Sequence, residues 1–272
     1  PACGSGSLLL RALNETARDT VVGIYGQEKD LATINMARMN MILHGLYYAD
    51  LKHGDTLNSP LHKTGFTLDT FDYIVANPPF SLKKWMKSAL PNGQFKRWTA
   101  NAVPPQSKGD YAFLLHILES LKSNGKGAVI LPHGVLFRGN VEKGEAEAVI
   151  RKSLVEKKVI KGIIGLPANL FFGTGIPACI IILDKEHAKE SKGIFMIDAK
   201  DGFVKDGSKN RLREQDIQRI FDAWESQDNI PHYSRLVPYS EIQKNEFNLN
   251  IPRYIQPKST EIQQDLFAHL HG

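Results

Sequence analysis

Short apolar runs that suit buried strands alternate along this chain with longer stretches whose apolar residues recur at helical spacing. Ser7 to Ala17 predicts a helix, Val21 to Gln27 a buried strand, and Leu31 to Leu43 a second helix ending at His44-Gly45. A short strand near Ala49 to His53 and a buried strand from Phe71 to Ala76 follow. The polar stretch Ser81 to Gly109, interrupted by Pro91-Asn92-Gly93 and Pro104-Pro105, predicts an irregular loop. Asp110 then caps an apolar helix over Tyr111 to Leu121, and Asn124-Gly125 separates it from a strand over Gly127 to Leu131.

Gly144 to Glu156 predicts another helix, and Val159 to Leu166 and Pro177 to Leu183 two more strands. Because Phe172-Gly173-Thr174-Gly175 joins those strands, they are expected as an antiparallel pair at the end of an otherwise parallel sheet. Beyond Lys185 apolar residues thin out, leaving a small strand over Ile194 to Ile197, a surface helix over Arg213 to Trp224, and a polar tail from Tyr254 with a final short helix. The pattern is α/β, with a main domain over residues 1–185 and an extension over 186–272, and no internal repeat.

Composition adds bounds. Of 272 residues, 42% are hydrophobic and 23% charged, ordinary values for a globular chain with a substantial core. A formal charge of +5 suits a polyanionic partner without requiring one. No apolar run reaches bilayer-spanning length and no secretory leader opens the sequence, so a cytoplasmic protein without membrane contact is expected. Cys3 and Cys179 match no paired metal spacing and are expected as free thiols. His44, His116 and His133 lie in or beside apolar segments, where satisfied structural imidazoles are expected, and no metal site is assigned.

The chemistry is carried by four short segments. Gly4-Ser5-Gly6 opens a helix, and such a turn offers backbone N–H groups and close approach to a nucleotide-like ligand. The dinucleotide fingerprint would need a third glycine where Leu9 stands, which weakens a nicotinamide oxidoreductase reading. Glu28 ends the next strand, where a carboxylate can accept from ribose hydroxyls. Asp55, in Gly54-Asp55-Thr56-Leu57, can accept from an adenine amino group. Each also has a plainer reading, as an ordinary turn or a solvated carboxylate at a strand end.

The fourth segment is Asn77-Pro78-Pro79-Phe80, which ends the apolar run Tyr73-Ile74-Val75-Ala76. An exocyclic amine on adenine is a poor nucleophile because its lone pair is delocalised into the ring. Two fixed acceptors that take both its hydrogens restore the lone pair; the Asn77 side-chain oxygen and the Pro78 carbonyl can serve, with Pro79 restricting Pro78. Phe80 can stack on a base rotated out of a duplex. Turn punctuation after a strand is the plainer alternative.

In this order, Pro1-Ala2-Cys3-Gly4-Ser5-Gly6, Gly26-Gln27-Glu28, Gly54-Asp55-Thr56-Leu57 and Asn77-Pro78-Pro79-Phe80 resemble the DNA methyltransferases that make N6-methyladenine. Lys126 to Pro132, Phe171-Phe172-Gly173-Thr174-Gly175-Ile176-Pro177-Ala178-Cys179 and Phe247 to Tyr254 narrow the likeness to the modification subunits of type I restriction-modification systems. The resemblance implies a Rossmann-like, mostly parallel twisted sheet with an antiparallel pair at one edge and helices on both faces. It implies S-adenosylmethionine held by Ala2, Cys3, Gly4, Ser5, Gly6, Ser7, Glu28, Asp55 and Thr56, with Glu28 on the ribose and Asp55 on the cofactor adenine. Asn77, Pro78, Pro79 and Phe80 would take a flipped adenine of double-stranded DNA, and separate specificity and restriction subunits would complete the complex.

The family carries an acidic residue and a strand before the glycine turn, and a helical domain with another cofactor contact further upstream. The chain is therefore expected to be a portion of a longer protein. Lys83, Lys84, Lys96 and Arg97, interleaved with Trp85 and Trp98 in a stretch running through Lys87, are candidates to follow a DNA backbone, with a solvated loop as the alternative. Cys3 reads as a small packed residue of the turn. Asn248 and Arg253 stay open between covering the site, meeting a partner, and ordinary turn or surface roles. Rival readings are methylation of a protein glutamine or an RNA adenine, and a non-catalytic assembly subunit with the same fold.

Overall fold

The computed structural model describes residues 1–16, 20–86, 94–99 and 102–256. The predicted α/β alternation is present. Helix α1 (Ser7–Asn14) is followed by β1 (Tyr25–Glu28), α2 (Leu31–Leu43), β2 (Asp50–His53), a small hairpin of β3 (Lys63–Thr64) and β4 (Thr67–Leu68), and β5 (Phe71–Ala76). After the polar loop come α3 (Asp110–Glu119), β6 (Leu121–Pro132), α4 (Ala146–Glu156), β7 (Ile160–Gly165) and β8 (Ala178–Asp184). The chain continues through β9 (Gly193–Asp198), a hairpin of β10 (Val204–Asp206) and β11 (Lys209–Arg211), α5 (Glu214–Ser226), β12 (Ser234–Pro238) and α6 (Tyr239–Lys244). The expected end of the first helix at Ala17, and the expected helix within the tail after residue 256, lie outside the described residues.

Six strands form one sheet in the order β12-β9-β7-β8-β6-β5. The β5–β6 and β7–β9 pairs are parallel, while β8 runs antiparallel to both β6 and β7, and β12 antiparallel to β9. The β7–β8 pair, expected at the sheet's end, thus sits inside it, and β9–β12 forms the antiparallel pair at the edge. The reason is in the side chains: Cys179-Ile180-Ile181-Ile182-Leu183 is apolar at every position, as a strand covered on both faces requires, and Cys179, Ile181 and Leu183 are fully buried. β9 is buried along nearly its whole length for the same reason.

Residues beyond 185 supply two strands of this sheet. Ile194, Met196, Val237, Ile242, Leu249, Ile251 and Tyr254 join the same buried cluster as Ile74, Leu114, Val129, Leu131 and Ile181. The extension expected over 186–272 is, through residue 256, part of the main core. Asn248 and Leu249 belong to this packing: Leu249 N–H donates to the Leu136 carbonyl at 2.8 Å, and the Asn248 side chain accepts from Asn250 N–H at 3.0 Å, whereas Arg253 is exposed.

Strands β1 and β2 pair parallel in a separate two-stranded sheet. Its Tyr25 ring lies 5.1 Å from Phe71 at the start of β5, and α1 has Cα atoms within 8 Å of β5. Since β5, β6, β7 and β9 point the same way, the segments opening with Asn77, His133, Leu166 and Ala199 leave one edge of the sheet. No helix among the described residues is long and apolar enough to cross a membrane.

Candidate functional site

The glycine turn runs beside β1, with Cys3 N–H donating to the Gln27 carbonyl at 3.1 Å and Gly6 N–H to the Cys3 carbonyl at 3.0 Å. Ala2, Gly4 and Gly6 all have positive φ, of 48°, 57° and 79°. At Gly6 a Cβ would come within 2.8 Å of the Met41 methyl, which a flexible side chain can yield, so it is the left-handed backbone at φ 79° that calls for glycine there. At Gly4 a Cβ would meet nothing within 4 Å; glycine there serves the left-handed backbone, and the space beside it is open. Asn40 Nδ2 fixes the Ser5 carbonyl at 2.9 Å, and the Ser5 and Ser7 hydroxyls lie 2.8 Å apart. No side chain caps α1, so its first N–H groups stay available to a polar ligand. Burial pushes the Cys3 thiol up to about 11, which fits packing and not nucleophilic chemistry.

Glu28 joins this turn. Its Oε2 accepts from Gly4 N–H at 3.1 Å, and its Oε1 accepts from Lys29 N–H at 2.8 Å and Asp30 N–H at 3.1 Å. With about four acceptor positions on a carboxylate, roughly one remains for a ligand hydroxyl. Asp55 is more fully engaged: Oδ1 takes Leu57 and Asn58 N–H, and Oδ2 takes Asn58 Nδ2 at 3.0 Å and Lys29 Nζ at 2.9 Å. Burial by itself would raise the Asp55 carboxyl, but the hydrogen bonds from Lys29 and Asn58 outweigh it and hold the group below its usual range. A ligand amine reaches Asp55 only if a donor yields, and exposed Lys29 is the one able to move.

Thr56 is buried, and here the structure corrects a sequence expectation. Arg97, a candidate for DNA phosphates, is only 3% exposed and turns inward, donating to the Leu57 carbonyl at 2.9 Å and the Thr56 carbonyl at 3.4 Å while lying over Trp98. Burial lowers its pKa to about 10, with Asp55 opposing the shift. Lys83, Lys84 and Lys96 are exposed, and Lys87 lies outside the described residues.

At the end of β5, Asn77 and Pro79 are exposed, Pro78 is buried and Phe80 half-buried. Among the described residues neither the Asn77 amide nor the Pro78 carbonyl has an intramolecular hydrogen bond. The turn is anchored just beyond Phe80, where Ser81 N–H donates to Asp110 Oδ1 at 2.7 Å. Asp110, expected to cap its helix, is instead the first residue of α3, with Gly109 at the N-cap, and its carboxylate reaches back to the turn. It is fully buried and bridged to Arg138 at 2.6 Å, and Arg138 also grips Glu147 through two bonds of 2.7 and 2.9 Å. On the other side the Phe171 ring, from the loop between β7 and β8, stands 5.5 Å from Phe80 at 72°.

One cluster joins these segments. Leu57, Trp85, Trp98, Ala112 and Phe113 form a buried group against which Ala2 and Leu82 pack. The glycine turn, through Ala2, and the Asp55 loop, through Leu57, therefore share a floor that also takes Leu82, two residues past the Asn77-Phe80 turn. Asn58 Nδ2 adds a direct link to the Trp85 carbonyl at 2.6 Å. Sequence reasoning gives Asp110 only a helix cap, places Phe171 only in a family-like segment, and gives no role to Arg138; none of the three is read there as part of the site.

Of the three histidines, His44 Nδ1 meets the Asn40 carbonyl at 2.8 Å and His133 stacks edge-on with Phe137. His116 departs from expectation, being buried with no hydrogen-bond partner at Nδ1. Asp184, Glu186 and His187 bring ligand atoms within 4.8 Å of one another, but β8 delivers them to the opposite edge of the sheet, and Lys161 and Lys126 already pair with the carboxylates.

The sequence profile of the family described as N-6 DNA Methylase matches residues 1–263. The chain is similar to the type I restriction enzyme MpnII methylase subunit of Mycoplasma pneumoniae, at 33% identity over 100% of this chain and 50% of that protein. It is 34% identical to the type I restriction enzyme MjaVII methylase subunit of Methanocaldococcus jannaschii, over 99% of this chain and 47% of that one. Among solved structures, the type I restriction-modification system methyltransferase subunit from Streptococcus thermophilus superposes with a TM-score of 0.80 at 41% identity, covering 93% of this chain and 53% of that chain. The chain spans about half the length of the curated relatives it matches.

Proposed function

The chain belongs to the N-6 DNA methylase family, and from that premise we propose that it methylates the N6 amine of adenine in DNA as the modification subunit of a type I restriction-modification system. The observation that carries this reading is the Asn77-Pro78-Pro79-Phe80 turn: its two polar acceptors have no intramolecular partner among the described residues, and the chain just beyond it, at Leu82, packs on the same buried cluster as Ala2 of the glycine turn and Leu57 of the Asp55 loop.

In this reading Asn77 Oδ1 and the Pro78 carbonyl accept hydrogen bonds from the two N6 hydrogens and draw the nitrogen toward tetrahedral geometry, so that its lone pair forms the new N–C bond, and the proton the methylated nitrogen then sheds passes to solvent. Phe80 stacks on the flipped base, with the Phe171 ring closing the pocket from the side. S-adenosylmethionine, when bound, supplies the methyl group and a positive sulfonium that is discharged on transfer. The open space at Gly4 and the uncapped α1 fit that molecule, and Ala2, Cys3, Ser5, Gly6 and Ser7 shape the cradle. Glu28 takes a ribose hydroxyl through its remaining acceptor position, and Asp55, beside Thr56, takes the cofactor's adenine amine as Lys29 swings away.

The target duplex is selected by a separate specificity subunit, a restriction subunit joins the same cytoplasmic complex, and exposed residues of 186–272 contact DNA or these partners. Label from S-adenosylmethionine, followed by nucleoside analysis, tests the reading on the protein with its specificity subunit. N6-methyladenine is expected, and Asn77→Ala abolishes it while cofactor affinity stays. Label in RNA or protein would replace the substrate, and cofactor binding without transfer would make the chain an assembly subunit.

A further inference from the structure

A lysine outside every motif considered above holds the aromatic wall of the site. The loop from Leu166 to Pro177 crosses the carboxyl edge of the sheet and carries Phe171. Only its start touches the core: Leu170 and Phe171 pack on the cluster of Ile164, Phe195 and Tyr233. Its apex is bare, with Phe172 94% exposed and Gly173 at φ 76°, so packing does not fix its shape.

A polar clamp does. Lys209 Nζ, from the β10–β11 hairpin, donates to the Phe171 carbonyl at 2.8 Å, the Thr174 carbonyl at 3.1 Å and Asn169 Oδ1 at 3.1 Å. An ammonium has three donors, and all three converge on this loop. The hairpin backs them up: Asn210 N–H donates to the Asn169 carbonyl at 2.9 Å, Asn210 Nδ2 to the Ala168 carbonyl at 2.8 Å, and Asn169 Nδ2 to the Ser208 carbonyl at 2.7 Å. A guanidinium, flat and forked, does not reproduce this three-way convergence on one point.

We propose that Lys209 is a positioning residue for the target base: by fixing the Phe171 carbonyl it sets the Phe171 ring against Phe80, and with it the aromatic slot that receives the flipped adenine. This rests on the reading of Asn77 to Phe80 given above. Because Lys209 acts through Phe171, removing either should have the same consequence, and removing both should add nothing.

The test uses Lys209→Met, which keeps the stem and loses the donors, together with Phe171→Ala and the double variant, each assembled with the specificity subunit. Lys209→Met is expected to lower kcat roughly tenfold, equivalent to about 1.4 kcal/mol. The affinity for S-adenosylmethionine should hold, because the hydrogen bonds of Lys209 go to Asn169, Phe171 and Thr174 and not to the glycine turn. Phe171→Ala should match that loss, and the double variant should fall no further. Amide hydrogen exchange over residues 169–176 should quicken in Lys209→Met whatever the substrate. Additive losses in the double variant, or unchanged exchange, would overturn the clamp. Absence of adenine methylation by the unmodified complex would instead overturn the function on which it rests, and exchange would still decide whether Lys209 holds the loop.

Discussion

Replacing Asp110 should unfasten the turn proposed to be catalytic. Its carboxylate, with no exposed surface, accepts from Ser81 N–H at 2.7 Å and from Arg138 at 2.6 Å. Asp110→Ala leaves Ser81 N–H without an acceptor, worth about 1–3 kcal/mol, and removes one of the two carboxylates facing Arg138. Burial alone would lower the Arg138 pKa, yet Glu147 and Asp110 outweigh it and raise it, so the guanidinium depends on both. Breaking a buried pair from one side typically destabilises by about 3–5 kcal/mol, and Glu147 remaining in place argues for the lower end. Ser81 also holds φ at 50°, a conformation that disfavours a residue with a Cβ by about 1–2 kcal/mol and that the Asp110 bond offsets. The expectation is a loss of about 3 kcal/mol in urea unfolding, followed through the buried Trp85 and Trp98 pair, and a fall in kcat as the turn relaxes. Asp110→Asn keeps an oxygen for Ser81 and should lose stability while retaining more of kcat than Asp110→Ala. An alanine variant within about 1 kcal/mol of the parent, with unchanged kcat, would refute the anchor.

Charge reversal at Lys83, Lys84 and Lys96 should flatten the salt dependence of DNA binding, by about 0.9 in slope for each phosphate no longer neutralised, whereas Arg97→Met should leave that slope alone and weaken S-adenosylmethionine binding as the Thr56 and Leu57 carbonyls are released. His116 is held neutral by burial, with a folded pKa well below 6.5, while the unfolded chain takes up a proton near that value. Stability should therefore fall as pH drops below 6.5, by up to about 1.4 kcal/mol per unit until the folded pKa is reached; His116→Leu should shallow this slope in urea titrations between about pH 7 and 5, and equal slopes would refute it. Gly193→Ala would place a Cβ 2.2 Å from the Val237 carbonyl oxygen of the facing strand, so a loss of about 1–3 kcal/mol and a lower Tm are expected by calorimetry.

Segments whose meaning is local are legible in the sequence. The glycine turn, Glu28 at a strand end, Asp55 after the next strand and the Asn-Pro-Pro-Phe turn each announce themselves within a few residues as parts of the proposed site; in the structure Glu28 accepts from Gly4 N–H, and Ala2 and Leu57 meet in one cluster. What escapes depends on partners far along the chain. Asp110 meets Ser81, Lys209 meets Phe171, and Arg97 meets Thr56, pairings between segments that no periodicity links. Arg97 misleads because a cation beside tryptophans has the same sequence signature whether it faces phosphate or backbone carbonyls. Strand β12, with Arg235 amid Ser234 and Pro238, carries too little apolar signal to stand out and is fixed by pairing with β9.

The inward position of β8 bears on how such a site diversifies. Since β8 returns antiparallel beside β7, the connection between them leaves and re-enters on the same edge without a crossover. The entropy of closing a loop grows only with the logarithm of its length, so doubling the segment from Leu166 to Pro177 would cost only about 0.6 kcal/mol while the strands on either side kept their register. Outside the positions clamped by Lys209 and Asn210, the wall proposed to face the substrate can thus change in length at its bare apex with little entropic penalty, while the turns proposed to carry the chemistry stay at the ends of β1, β2 and β5. In that reading the loop apex and the three turns are free to change at different evolutionary rates within one domain.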